Sequence, residues 1–490
     1  MKKMKIAAFL LALLMIFGTL AACAETGDTK ETLPAGSDPA QTEKDDSKPD
    51  LPPMTFDGYT FGMVHWYLAK WGMHSIDLYA EDLTSDPIND AVYTRNTRLS
   101  ESLDISFEFE EVPQNEINQV IRQAIRSNDD FYDLYYVRLY DVSGVLLEGS
   151  FLDFNYDIPY INLDKPYWDQ SIRQQISIND HLFMTACDIN VIDKTATDGI
   201  LFNKQIARDY EMPDFYDMVK KGEWTLDEFH KQMTSFDGDR DGDGKLDPNV
   251  DVLGYLGQND VLLSTFYGGG GHFTVKDQYD LPVFDFNTEE NIDLVTRILD
   301  MMYEPSFANA HVDGNPLNAA FRAGNGLFYW TRLDGVVSLR TDENIDFGVL
   351  PTPKNDELQE NYIAMISQYN TGLPSILTCE SDVETVGYIM EAMAGASADL
   401  QNAYYDVTLK TKSARDDESQ DMLDIIFAHR VLDIGELCQF GNFPATFLSF
   451  PTEVGGYGIV SKYESAEKSI EDGIEAFLEA VDKIDELRNQ

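Results

Sequence analysis

The chain has 490 residues, 43% hydrophobic and 12% aromatic, with a formal net charge of −50. A full core is available to it, and the roughly 435 residues beyond its N-terminal segment suit two or three domains. So large an excess of acid excludes direct binding to nucleic acid or to an anionic lipid surface, and it attracts cations.

Met1–Ala22 reads as an export signal. Lys2, Lys3 and Lys5 precede an apolar run, Ile6 to Leu20, that is too short and too weakly flanked to be a stable membrane span. The run ends in Leu20-Ala21-Ala22-Cys23, which resembles a bacterial lipobox with Cys23 as the lipidated new N-terminus. The alternative is an ordinary secretory site with a chance cysteine. Removing three lysines and no acid takes the charge from −50 to −53. Residues 23–53, rich in Thr, Glu, Asp, Lys, Ser and Pro, cannot bury enough apolar surface to offset ordering and read as a disordered tether. A globular body is expected over 54–490. Beyond Cys23 there are only Cys187, Cys379 and Cys438, with no CxxC pattern. A disulfide framework or zinc site is not expected, and a single bridge stays open.

The body alternates strands and helices. Tyr59 to Val64 reads as a first strand. Ile105, Phe107 and Phe109 alternate with polar neighbours, which predicts a strand with one buried face. Ile117, Val120, Ile121, Ala124 and Ile125 fall at helical spacing, and Tyr132–Leu139 is a compact apolar run read as a buried strand. Strand, helix and strand with short connections make a βαβ unit and a parallel sheet. Thr225 and Glu228 form a capping box, flanked by Trp224 and Phe229 as a hydrophobic staple, so Trp224 is assigned to structure. Trp168 likewise reads as a packing residue. Helices follow around Ile292–Met302 and Val383–Met393, and strands at Gly326–Trp330, Phe347–Leu350 and Ile363–Tyr369. Tyr463–Leu487 reads as an acidic terminal helix.

Several of these segments carry a family resemblance. "NDAVYTRNTRLSESLDISFEF" is similar to a first helix leading into a second strand. "DGILFNKQIARDYEMPDFYDMVKKGEWTLDEFHKQM", "AAFRAGNGLFYW", "DFGVLPTPKND" and "YYDVTLKTKSARDDES" follow in the family's order. Together the chain resembles the extracellular solute-binding lipoproteins of ABC importers, of the large carbohydrate type. The resemblance implies an α/β, two-lobe periplasmic-binding-protein-like fold with ligand in the interlobe cleft. Lobe 1 would span about 54–170 with part of 340–400, and lobe 2 about 171–335 with parts of 400–490. It also implies a monomer anchored through Cys23 on the outer face of the cytoplasmic membrane, delivering solute to permease subunits by hinge closure without catalysis. The sequence has no GxSxG, HExxH or Walker-type phosphate loop.

Asp237, Asp239, Asp241, Asp243, Asp247 and Asp251 crowd into fifteen positions. From Asp239 the spacing matches the first nine positions of an EF-hand-like loop. Carboxylates stand at 1, 3, 5 and 9, Gly244 at the sharp turn, and Lys245 offers its carbonyl at 7. Position 12 is Val250, with Asp251 one residue further on, and no exiting helix follows. The expectation is a structural Ca²⁺ held by Asp239, Asp241, Asp243, Lys245, Asp247 and Asp251. The alternative is a solvated acidic turn. The resemblance carries similar insertions.

Ligands of open α/β sheets gather at the carboxyl ends of strands. Aromatic faces and planar polar groups there suit sugar rings. This selects His65, Trp66, Tyr67 and Trp71 after the first strand, Arg138 and Tyr140 after the third, and Trp330 and Arg332 after "GLFYW". Tyr267 and His272, which flank Gly268–Gly271, a run read as a tight turn near the cleft, and Tyr369 and Asn370 at an expected crossover complete the set. An oligosaccharide is the expected ligand. Peptide or other polar-solute binding on the same fold, a polysaccharide hydrolase with paired carboxylates and an adhesion module are the alternatives.

Overall fold

The computed structural model describes residues 47–68, 74–313, 317–339, 345–406, 409, 417–453 and 458–488. The signal, Cys23 and most of the tether lie outside them, as does Trp71.

Two sheets organise the body from residue 46 onward. The first contains β1 (Tyr59–Tyr67), β2 (Ile105–Pro113) and β3 (Leu134–Arg138). The second contains β4 (Asp198–Asn203), β5 (Leu253–Gly257), β6 (Phe307–Asn309), β7 (Gly326–Arg332) and β8 (Phe347–Leu350). The chain then returns to the first sheet with β9 (Gly372–Ser375). The orders are β9-β3-β1-β2 and β8-β4-β7-β5-β6. β1 lies parallel to β2 and β3, while β9 runs antiparallel to β3. In the second sheet β5 is parallel to β6 and β7, and β4 is antiparallel to β7 and β8. This is a mixed α/β fold of two lobes.

β4 and β5 are buried along their whole length, as strands covered on both faces should be. β2 instead alternates along most of its length, with Glu108 and Glu110 outward. The helix Leu226–Thr234 starts at Thr225, whose hydroxyl accepts from the Glu228 amide. Trp224 is fully buried, lies 5.4 Å from the Phe229 ring and donates its indole N–H to the Pro351 carbonyl at 3.0 Å. Trp168 is also buried, its indole donating to Glu391 at 3.0 Å. The terminal helix, Ile459–Arg488, buries Ile470, Phe477 and Val481. Cys187, Cys379 and Cys438 are free thiols. No helix among the described residues is long and apolar enough to cross a membrane.

One element differs from its expectation. Ile363–Tyr369 is not a continuous strand: Ala364–Met365 pairs with Arg430–Val431, and Ile366 makes an isolated bridge to Thr197. Beyond it the chain crosses between the sheets. Ser367 N–H donates to Ala196 O at 2.9 Å on one side, and Tyr140 N–H donates to Gln368 O at 3.1 Å on the other. A turn closed by Asn370 N–H on Ser367 O then leads to Thr371, which receives the Leu139 N–H. Its polar side chains serve this crossing and not a ladder.

Candidate ligand-binding cleft

The crossover places the carboxyl ends of β3 and β7 on one cavity of about 590 Å³. The first sheet contributes Leu68, Gln114 and Arg138, and the crossover contributes Tyr369 and Asn370. The second sheet's loops contribute Gln258, Asn259, Asp260, His311, Arg332 and Asp334, with Leu448 beside them.

Arg138 ends β3 and is held from several directions. Its Nε donates to Tyr369 O at 2.7 Å and its Nη1 pairs with Asp141 at 3.0 Å. The guanidinium lies 5.2, 5.4 and 6.0 Å from the rings of Tyr140, Tyr369 and Trp66. Tyr140 and Tyr369 stack on each other at 4.2 Å. The result is a fixed platform of two aromatic faces around a planar donor. Burial raises the Tyr369 phenol well above its usual range, so it stays a neutral donor.

Arg332 ends β7 on the opposite wall. It lies 5.7 Å from the Trp330 ring, with Nε 3.7 Å from Asp334. Burial alone would lower its pKa, but Asp334, Asp198 and Asp260 outweigh that and raise it. Asp198 is fully buried beneath the cleft and accepts from the Trp330 indole at 3.3 Å. Burial pushes its carboxyl up to about 8, against the opposing pull of Arg332. Asp260 is raised by burial too, with Arg332 and then His311 pulling it down. One permanent guanidinium thus stands among three carboxyls, of which Asp198 keeps its proton up to about 8, so the wall carries both charge and neutral hydrogen-bonding groups.

The cavity brings together Arg138, Arg332, Tyr369 and Asn370 of the residues selected from sequence. Trp66 lines a smaller adjoining pocket. Tyr140 and Trp330 back the cavity, Tyr140 stacked on Tyr369 and Trp330 buried beneath Arg332. Tyr67 stacks on His74 at 5.3 Å. Tyr267 is buried and does not line the cavity: it lies in the last turn of the helix Asp260–Gly268, its hydroxyl donating to Glu436 at 3.1 Å. The glycines after it admit core contacts, since a β-carbon on Gly268 would stand 2.3 Å from the Thr352 side chain. Gln114, Gln258, Asn259, Asp260, His311 and Asp334 were not selected from sequence. The strand-end rule applied to β5 points to Gln258–Asp260. His311 follows a three-residue strand too short to show a pattern.

The acidic loop lies at the N-terminal ends of β5 and β7, where Arg240 bonds Asn325 and Gly324 just before β7. One carboxylate oxygen from each of Asp239, Asp241 and Asp243 falls within 4.8 Å of the others. Asp239 also accepts from the Gly242 and Gly244 amides at 2.7 and 2.9 Å. Gly242 and Gly244 take φ of +76° and +80°, which their lack of a β-carbon permits. Asp247 and Asp251 do not join the convergent group. Asp247 accepts from Asn249, and Asp251 accepts from the Asp247 and Arg240 amides at 2.9 and 2.8 Å. Those backbone bonds lower the Asp251 pKa, Asp247's first. Lys245 N–H donates to Asp243 at 2.8 Å. Hard carboxylate oxygens converging on one point fit a hard divalent cation.

No protein-family model and no curated protein matches the sequence. Solved structures do. UspC of M. tuberculosis has a TM-score of 0.57 at 13% identity, covering 84% of this chain and 100% of its own. A cyclic alpha-maltosyl-1,6-maltose binding protein from Arthrobacter globiformis gives 0.55 at 14%, covering 85% and 99%. An ABC substrate-binding protein from Listeria monocytogenes in complex with cycloalternan gives 0.54 at 10%, covering 86% and 99%. The fold is that of ABC substrate-binding proteins. At these identities the likeness is one of fold. The two lobes and the cavity between their sheets are its structural content here.

Proposed function

We propose that the chain captures an oligosaccharide for an ABC importer and does so without catalysis. One observation carries this reading: the carboxyl ends of two separate sheets, joined by a crossover, face a single cavity of about 590 Å³. Arg138, Tyr369, Gln258 and Asn259 there are polar groups that grip hydroxyls, and the stacked Tyr140–Tyr369 pair offers an apolar ring face. Several proteins of this fold are named for saccharide ligands. Lobe closure over the ligand would signal occupancy to permease subunits.

In this reading the N-terminal signal is removed and Cys23 is lipidated. The tether then holds a monomeric body on the outer face of the membrane. Asp239, Asp241 and Asp243 would hold a structural Ca²⁺ that stiffens the loop. The lobes would divide near 54–170 and 171–335, with later segments shared between them.

The test is thermal unfolding of the body from residue 46 against oligosaccharides, peptides and amino acids. A ligand at 100 times its Kd adds about 2.7 kcal/mol to stability. A shift with one saccharide and no smaller products in the mixture supports capture. A shift only with peptides overturns the saccharide assignment, and release of products overturns the non-catalytic one.

A further inference from the structure

A groove of about 610 Å³ shares no lining residue with the cleft cavity. It runs between the terminal helix, Ile459–Arg488, and a β-hairpin whose strands are Thr274–Lys276 and Pro282–Phe284. The helix lines it with Ile470, Ile474 and Leu478, spaced four apart and so on one stripe. The hairpin adds Pro282, Val283 and Phe284. Val283 is 44% exposed, its cross-strand partner Val275 38%, and Tyr279 in the turn between them 65%. Large apolar side chains left in water beside an apolar floor mark a surface that another chain covers.

The rim is acidic. Glu467, Glu471, Glu475 and Glu479 follow one another at four-residue spacing along the helix, with Asp482 three residues further on. All five residues are exposed, and none is in an ion pair among the described residues. Lys468 on the same helix pairs with Asp472, and Lys276 of the hairpin is taken up by Asp280 and by the Gln174 and Ser177 carbonyls. Carboxylates at this spacing repel one another, and a row of cations laid along them relieves that repulsion. Acid is plentiful over the whole chain, but here an unpaired row of it borders an apolar floor.

We propose that this groove docks a basic amphipathic helix of a partner protein, with its apolar stripe on the floor and its Lys or Arg residues along the acidic rim. The rim spans about 22 Å of helix at about 1.5 Å per residue, enough for a partner helix of roughly fifteen residues. Successive glutamates stand about 6 Å apart along the axis. Basic residues at i and i+4 on a partner helix have the same spacing, so the two rows match when the helices lie side by side. A second copy of the chain would bring acid against acid, and an anionic lipid surface would be repelled, so charge disfavours both. The surface is independent of the saccharide reading above.

The experiment uses the body and a labelled Leu/Lys peptide of about sixteen residues with leucines on one helical face, beside a scrambled peptide of the same composition. Fluorescence anisotropy gives the affinities, and methyl resonances of Ile, Leu and Val report the place. The striped peptide is expected to move the methyls of Val283, Ile474 and Leu478 and to bind at least about tenfold more tightly than the scrambled one. Reversing two rim charges, Glu471→Lys with Glu475→Lys, should weaken it about tenfold, while the same change at exposed sites elsewhere, Glu357→Lys with Glu360→Lys, should cost less than about twofold. Val283→Asp adds a charge that plain attraction would favour, yet it should weaken binding. Equal affinity for both peptides, or equal loss from both charge reversals, overturns the groove and leaves only attraction to an acidic chain. Absence of binding overturns it as well. Methyl shifts that instead follow protein concentration, or that appear with phosphatidylglycerol vesicles, overturn it in favour of a second copy or a lipid surface. The methyl shifts are read on the wild type, so the result stands whether or not a variant folds.

Discussion

Asp198→Asn isolates the electrostatics beneath the cleft. Asp198 opens β4, is fully buried, and keeps its proton up to about 8 because burial outweighs the attraction of Arg332. The unfolded chain releases that proton near the ordinary value of about 4. Over this window the folded state binds the extra proton, so stability falls as pH rises from about 4 to about 8 and levels off above. Each pH unit corresponds to about 1.36 kcal/mol, which sets a ceiling of roughly 5–6 kcal/mol. Relaxation around Arg332 reduces this. Asparagine cannot ionise, and its carbonyl still accepts from Trp330. The variant should therefore match the wild type within about 1 kcal/mol at pH 4 and exceed it by at least about 2 kcal/mol at pH 8. Urea unfolding of the two bodies at pH 4, 6 and 8 measures the difference, in which most other titrations cancel. Asp260 and Glu436 are also raised by burial, and removing a neighbouring carboxyl eases their ionisation with the same sign. A difference that is flat across pH, or that grows toward acid, would refute the reasoning.

Gly372→Ala should cost about 1–3 kcal/mol in urea unfolding, because the new β-carbon would lie 2.6 Å from Trp66 Nε1 and 3.0 Å from Val137 O. Arg138→Lys keeps the charge but loses the fork that spans Tyr369 O and Asp141. It should weaken saccharide binding about tenfold by calorimetry while lowering stability by only about 1 kcal/mol. A chelator should lower the unfolding midpoint, added Ca²⁺ should restore it, and Asp243→Asn should abolish the response; an unchanged midpoint makes the loop a solvated turn. A thiol reagent should label the part-exposed Cys379 before the buried Cys187, whose thiol burial raises far above the usual range, and labelling in the reverse order would contradict the packing.

What the sequence makes legible is what depends on neighbours along the chain. Thr225 caps its helix and Trp224 packs on Phe229 because both contacts close within a turn or two, and the alternation of β2 survives because its outer face meets water. The strand-end rule reaches Arg138 and Arg332 for a related reason, since parallel strands fix where their loops emerge. It fails at Tyr267 because the glycines that read as a turn at the cleft end a buried helix instead. Nothing local distinguishes a glycine opening onto a ligand from one pressed against Thr352. The crossover shows the deeper limit. Its polar side chains look like half a strand, yet its backbone bonds reach Ala196 in one direction and Tyr140 in the other. Those partners are 171 and 228 residues away along the chain, and they bring Tyr369 and Asn370 between the two sheets.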